Sequence, residues 1–326
     1  MGLDVLVKNY EVVMATCNGE RFLDQQIASI LRQTILPERL LVADDCSSDQ
    51  TLEFLHHWQE KSDVPFEFLT IRESGRLGSC RNFERLLYAS EASYVMLSDQ
   101  DDVWDVDKAE RLLQQMDALE HRLGADRPLL VHCDQCLIDA EGHQIHPSFH
   151  RCQGLHPGRD GLFEIGLQNV VTGCALLLNR SAVERSLPFP PEVVLHDWWL
   201  ALVAAQAGGL YYWPESCSSY RQHQTNVVGA RGWRRQLITR FRDVDVFHLR
   251  RSAQRLISPG LLQLRACLNR FDSPESAAQL ERLWSASVCV RLSTALRLGL
   301  RKHGWWRTAG FYAALLCSRP SRHEPS

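Results

Sequence analysis

The stretch YEVVMATCNGERFLDQQIASILRQT, residues 10–34, changes its period at its midpoint. Tyr10–Thr16 is a β-rich run of strand length, closed by the turn residues Cys17-Asn18-Gly19. From Glu20 onward, Phe22, Leu23, Ile27, Ile30 and Leu31 recur at helical spacing. A short strand feeding an amphipathic helix is half of a βαβ unit, and the pattern repeats downstream. RLLVADD (39–45) predicts a second strand, with Ser47 or Ser48 placed to N-cap the helix carrying Leu52, Phe54 and Leu55. FEFLTI (66–71) predicts a third, ahead of the helical CRNFERLLYAS (80–90), and YVMLSD (94–99) a fourth, ahead of a helix around Arg111–Leu119. Strands alternating with helices predict an α/β fold, a mainly parallel sheet covered by helices on both faces.

Beyond residue 127 the rhythm loosens. PLLVHCDQCLID (128–139) predicts a strand, and the Gly-, Pro- and His-rich 143–160 a loop. VVTGCALLLNRSAVERS (170–186) predicts a strand and a short helix. HDWWLALVAAQAG (196–208) is an apolar helix opened by His196-Asp197, and residues 210–229 run from strand into loop. Past Ala230 the texture becomes Arg-rich and helical, so a boundary is expected near 230, dividing 1–230 from 231–326. The charge divides there too. The net charge of -3 conceals +12 over 231–326 and -15 over the rest. Such asymmetry points to an anionic partner for the basic part.

At 326 residues, 45% hydrophobic and 23% charged, the chain can bury a large core and is not of disordered composition. The first residues lack a basic leader, an apolar core segment and a small-residue cleavage site, so no secretory signal is expected. No run of eighteen uncharged apolar residues predicts a membrane span. Eleven cysteines without a signal suit a reducing compartment, and the Cys133/Cys136 pair has no zinc-spaced partner, so it is expected to be buried thiols. These readings place the chain in the cytoplasm.

In parallel sheets, chemistry collects at the carboxyl ends of the strands. Here those ends carry Thr16 and Asn18, then Asp44 and Asp45, then Asp99, Asp101 and Asp102. The Asp44/Asp45 pair fits a helix cap or hydrogen bonds to a nucleotide base or ribose. The SDQDD cluster (98–102) is harder to assign to capping, because one acid at most caps a helix while three store repulsion that a cation relieves. Oxygen ligands of this kind suit Mg²⁺ or Mn²⁺ beside substrate phosphates.

Five segments in this order, VVMATCNGERFLDQQIASILRQT, LLVADDCSSDQT, GRLGSCRNF, YVMLSDQDDVWDVDK and HDWWLALVA with YRQH, resemble the inverting family 2 glycosyltransferases of the GT-A fold. The resemblance covers about residues 10–229 and is nearest the rhamnosyltransferase-like branch, which builds bacterial cell-surface polysaccharides such as cell-wall glycans and O-antigen. It implies a Rossmann-like catalytic domain over 1–230 and a helical extension over 231–326. It implies that Thr16, Asn18, Asp44, Asp45, Arg76, Asn82 and Asp99 line the donor nucleotide. Asp99 and Asp101 match the DxD positions, Asp101 foremost as metal ligand with Asp102 as an alternative. Asp197 matches the catalytic base, and His196, where the family usually has Glu, is a candidate for contacting the substrate or for orienting Asp197 by a hydrogen bond; Trp198 is a further candidate on the acceptor side. Arg221 and His223 follow the last strand: Arg suits the diphosphate, and His the phosphate or the metal shell. Trp198, Trp199, Trp213 and Trp233 are candidates for sugar stacking or for core.

The expected activity is metal-dependent transfer of a sugar, rhamnose by branch resemblance, from a dTDP- or UDP-sugar to a growing polysaccharide or lipid-linked glycan. Two other readings compete. A nucleotidyl transferase would want a Gly-rich phosphate loop with Lys, which is absent; a non-catalytic nucleotide-sugar or glycan-binding module would carry the same residues in a decayed site. The basic helices with Trp305-Trp306 suit either a membrane surface or packing on the catalytic domain, and no nucleic-acid recognition motif accompanies their charge.

Overall fold

The computed structural model describes residues 9–69, 75–223, 259–285 and 287–317. The expected boundary at 230 and Trp233 lie outside them. Two compact units emerge, one within Met1–Phe149, Val171–Phe189 and Leu195–Gly229, the other within His150–Val170, Pro190–Val194 and Ala230–Ser326.

The first unit is built on one sheet. Strands β1 (Tyr10–Thr16), β2 (Arg39–Asp44), β3 (Phe66–Phe68) and β4 (Tyr94–Ser98) alternate with helices α1 (Leu23–Ile30), α2 (Thr51–Lys61) and α3 (Ser79–Ala89). The two-residue β5 (Val103–Trp104) then precedes α4 (Lys108–Leu123). The remaining strands are β6 (Leu130–Ile138), β7 (Gln144–His146), β8 (Leu176–Asn179) and β9 (Leu210–Arg221). Their order is β3-β2-β1-β4-β8-β6-β9-β5, with β7 beside β6. The βα half is parallel, as its alternation predicts. Past β4 the sheet is mixed: β8 runs antiparallel to both β4 and β6, β6 and β9 are parallel, and β5 is antiparallel to β9. Val12, Val13 and Met14 of β1 and Val95, Met96 and Leu97 of β4 are fully buried, which is the mark of central strands covered on both faces.

Some local expectations change. Helix α2 has Gln50 at its N-cap position, with no side-chain cap. Ser47 instead donates to Asp44 Oδ1 at 2.6 Å, and Asp49 Oδ1 accepts the Thr51 N–H at 3.0 Å. The 143–160 stretch is not only loop: β7 pairs with the end of β6, and the short helix α5 spans Phe149–Gln153, followed by α6 (Leu162–Leu167). Asn179 caps the helix α7 (Arg180–Ser186), its Oδ1 accepting the Ala182 N–H. Helix α8 (His196–Gln206) completes the unit. The second unit contains helical residues 259–270 and helices at Pro274–Ser285, Val288–Arg297 and Trp305–Cys317. No described helix is long and apolar enough to cross a membrane.

Candidate active site

The ends of β1 and β2 are laced together by the polar residues the sequence singled out. Thr16 Oγ1 donates to Asp44 Oδ1 at 2.8 Å, and Asp44 Oδ2 accepts the Ser47 N–H at 2.8 Å. Asn18, at φ 52°, accepts the Ser48 N–H at Oδ1 and donates its own N–H to Ser47 Oγ. Asp45 accepts the N–H groups of Leu77 and Gly78 at 2.7 and 2.8 Å, joining this loop to the start of α3. Asn82 is buried and donates to the Ala43 carbonyl at 2.6 Å, bracing β2 from below. Arg76 is exposed at the loop's rim, 3.4 Å from the Cys46 carbonyl.

The three acids lie between β4 and β5, and α4 begins only at Lys108, so none of them caps that helix. Asp101 Oδ2 lies 2.7 Å from His223 Nε2, with both side chains mostly enclosed. Asp102 is buried; Oδ1 accepts the Arg221 N–H at 3.0 Å, and the carboxyl lies beside both Asp99 and the Cys174 thiol. Burial and the Asp101 charge push Asp102 up to about 7. Burial, with the charges of Asp101, Asp102 and Asp197, also holds Asp99 well above the usual carboxylate range. Asp197 therefore acts on the same electrostatic centre although it is 95 or more residues away in sequence.

These donors fit a hard divalent cation. Asp99 and Asp102, with Cys174, offer ligand atoms all within 4.8 Å of one another, and the mutual repulsion of the carboxylates is what a cation would relieve. Burial raises the Cys174 thiol, keeping it protonated and a poor ligand for such an ion, which leaves the Asp99 and Asp102 carboxylates; Asp101, expected as the foremost ligand, pairs instead with His223, and both fall outside that group.

Arg221 is placed differently from a free phosphate-binding arginine. It is buried, its Nε donates to the Asp101 carbonyl at 2.9 Å, and its terminal nitrogens donate to the Asp139 and Ala140 carbonyls and to Gln25 Oε1. It thus clamps the acid loop to the end of β9. The Phe22 ring lies beside both Arg221 and His223.

Asp197 sits in the first turn of α8, half-buried, its Oδ1 accepting the Trp198 N–H at 2.6 Å. His196 turns away into the protein. It stacks on Phe83 with centroids 4.0 Å apart, and a Cβ at Gly173 would come within 2.6 Å of its Nε2. Burial lowers it to about 3, so it is neutral. Trp199 is core, its Nε1 donating to the Ser186 carbonyl, whereas Trp198 is half-buried. Trp213 packs against the core with Arg111 near its ring.

Sequence reasoning missed Gln100, the residue inside the DxD. Its Oε1 accepts the Cys17 N–H at 2.7 Å and its Nε2 donates to the Cys17 carbonyl at 3.0 Å. It also missed Lys108, buried over the Trp104 ring and donating to the Cys174 carbonyl. Both partners lie more than sixty residues away, beyond any local pattern.

Residues 11–128 match the model of "Glycosyl transferase family 2". A dTDP-rhamnosyl transferase, RfbG of Shigella flexneri, is 24% identical over 229 residues, covering 67% of this chain and 74% of that protein. The putative teichuronic acid biosynthesis glycosyltransferase TuaG of Bacillus subtilis is 22% identical over 241 residues, covering 73% and 88%. A mannosyltransferase of Pyrobaculum calidifontis, solved in complex with GDP-Man and Mn²⁺, superposes with a TM-score of 0.51 at 16% identity, covering 97% of this chain and 89% of that one. Staphylococcus aureus TarS 1–349 with UDP-GlcNAc gives 0.50 at 13%, covering 90% and 93%. These likenesses show the GT-A fold.

Proposed function

Because residues 11–128 are a family 2 glycosyl transferase domain and the chain is a glycosyltransferase, we propose that it is the inverting, metal-dependent kind and takes a nucleotide-diphosphate sugar as donor. The observation that carries this reading is the convergence of Asp99, Asp101 and Asp102 with the charge of Asp197 on one centre. A divalent cation, Mg²⁺ or Mn²⁺, held by Asp99 and Asp102 and flanked by the Asp101–His223 pair, would supply positive charge to the donor's diphosphate. Thr16, Asn18, Asp44, Asp45 and Arg76 form the rim on which the base and ribose lie, and Asn82 supports that rim from within. Arg221 contributes by fixing the Asp101–Asp102 backbone. Asp197 takes the proton of an acceptor hydroxyl; the oxygen attacks the anomeric carbon as the bond to the diphosphate breaks, and the configuration inverts. Trp198, the neighbour of Asp197 in the first turn of α8, is assigned to the acceptor.

We further assign the donor as dTDP-rhamnose, with a UDP-sugar as the competing choice, and the acceptor as a growing cell-surface polysaccharide or lipid-linked glycan. The RfbG and TuaG relationships support that choice. Calorimetry against dTDP-, UDP- and GDP-sugars, each with Mn²⁺, Mg²⁺ or EDTA, tests the proposal. The expected result is metal-dependent binding of one donor class, with dTDP-rhamnose tightest. Binding of no donor in a metal-dependent way overturns it, and binding without turnover leaves the decayed module in its place.

A further inference from the structure

The second unit ends in a helical hairpin whose two faces differ. Ala295, Leu300, Phe311, Ala314 and Leu315 are buried. By contrast Leu296 is 68% exposed, Trp305 65% and Trp306 54%. The two indole rings stack on one another with centroids 3.3 Å apart. The connection that displays them is ordered by hydrogen bonds: Thr308 Oγ1 donates to the Lys302 carbonyl at 2.8 Å, and the Tyr312 hydroxyl to the Leu300 carbonyl at 3.0 Å. Arg297 and Arg301, at the same connection, are exposed. Residues 287–317 contain five Lys and Arg and no Asp or Glu.

We propose that this hairpin is a docking surface for an anionic lipid bilayer, with Trp305, Trp306 and Leu296 seated at the headgroup boundary and Arg297 and Arg301 against the lipid charges. Scattered exposed apolar residues are ordinary on soluble proteins. Two adjacent tryptophans on one ordered turn, flanked by cations and by no acid, are not scattered. Indole rings, apolar in body and polar at one edge, prefer the interface between water and lipid, and basic groups there gain from negative lipid headgroups. Nucleic acid would use the arginines but gives no reason to expose Leu296, and an acidic protein gives no reason to pair the indoles outward. None of the described helices is long and apolar enough to span the bilayer, so the contact is one of lying on the surface.

The full chain is tested by flotation with vesicles of phosphatidylcholine alone and of phosphatidylcholine mixed with phosphatidylglycerol. The expected result is retention on the anionic vesicles at least about tenfold above the neutral ones, falling as salt rises. Brominated lipid should quench the tryptophan emission. Trp305→Ala with Trp306→Ala is expected to lower retention by about tenfold or more and to remove part of that quenching. Arg297→Gln with Arg301→Gln, substituted at exposed positions and so kept folded, is expected to erase the preference for anionic lipid. Wild-type chain that stays off anionic vesicles, retention unchanged in both variants, or RNA bound in place of vesicles would each overturn the proposal. Donor binding measured on the same samples separates this result from the transferase reading, since these residues lie outside the catalytic unit.

Discussion

Gln100 stands between two of the acids and holds both backbone polar groups of Cys17 with one carboxamide, so the acid loop and the turn after β1 share a single residue. Each such hydrogen bond is worth about 1 kcal/mol net. Gln100→Ala is therefore expected to raise the donor KM by about tenfold while kcat falls much less, because the Cys17–Gly19 turn loses its anchor and the carboxylates stay. Steady-state kinetics with varied donor checks this; equal losses in kcat and kcat/KM would assign Gln100 to the chemical step instead. Asp197→Asn has the opposite signature. Donor affinity is expected to hold while turnover drops by about a thousandfold or more, since the amide cannot take a proton. The carboxylates were legible in the sequence because clustered acids at a strand end are costly and ask for a reason. Gln100, 83 residues from Cys17, carried no local mark of its role.

At the scale of elements, His196 packs the first turn of α8, which carries Asp197, into the protein. Its imidazole stacks on Phe83 of α3 and lies against the Gly173 turn, where a Cβ would come within 2.6 Å of Nε2. Burial has lowered His196 from its ordinary 6.5 to about 3. A group whose folded pKa is depressed lends stability that is present above its unfolded value and lost as pH falls toward the folded one. The chain is thus expected to lose about 3 kcal/mol from this residue between pH 6.5 and pH 4. Thermal melts of wild type and His196→Gln across that range check the sign: the variant starts less stable at neutral pH and shows a shallower fall. The βα alternation, the β9 strand and the opening of α8 could be read from periodicity. The direction of β8 could not, because a short apolar strand looks the same whichever way it runs. Nor could β5, since two residues define no period.

For the whole molecule, the sequence marked a basic part after residue 230, and compact packing groups 150–170 and 190–194 with the later residues. Composition follows charge along the chain, whereas units follow contacts, and the two need not change at the same residue. The order of the strands has a further consequence. Residues 98 and 103 are ends of β4 and β5, which stand four strands apart in the sheet. Four flat inter-strand steps amount to about 19 Å, while five fully extended residues reach about 17 Å. The segment Asp99–Asp102 is therefore a chord drawn across an arc, and the sheet has to bend until the chord fits. Arg221 fastens the far end of that chord. The acids that repel one another are therefore strung on the same short tie that spans the arc of the sheet.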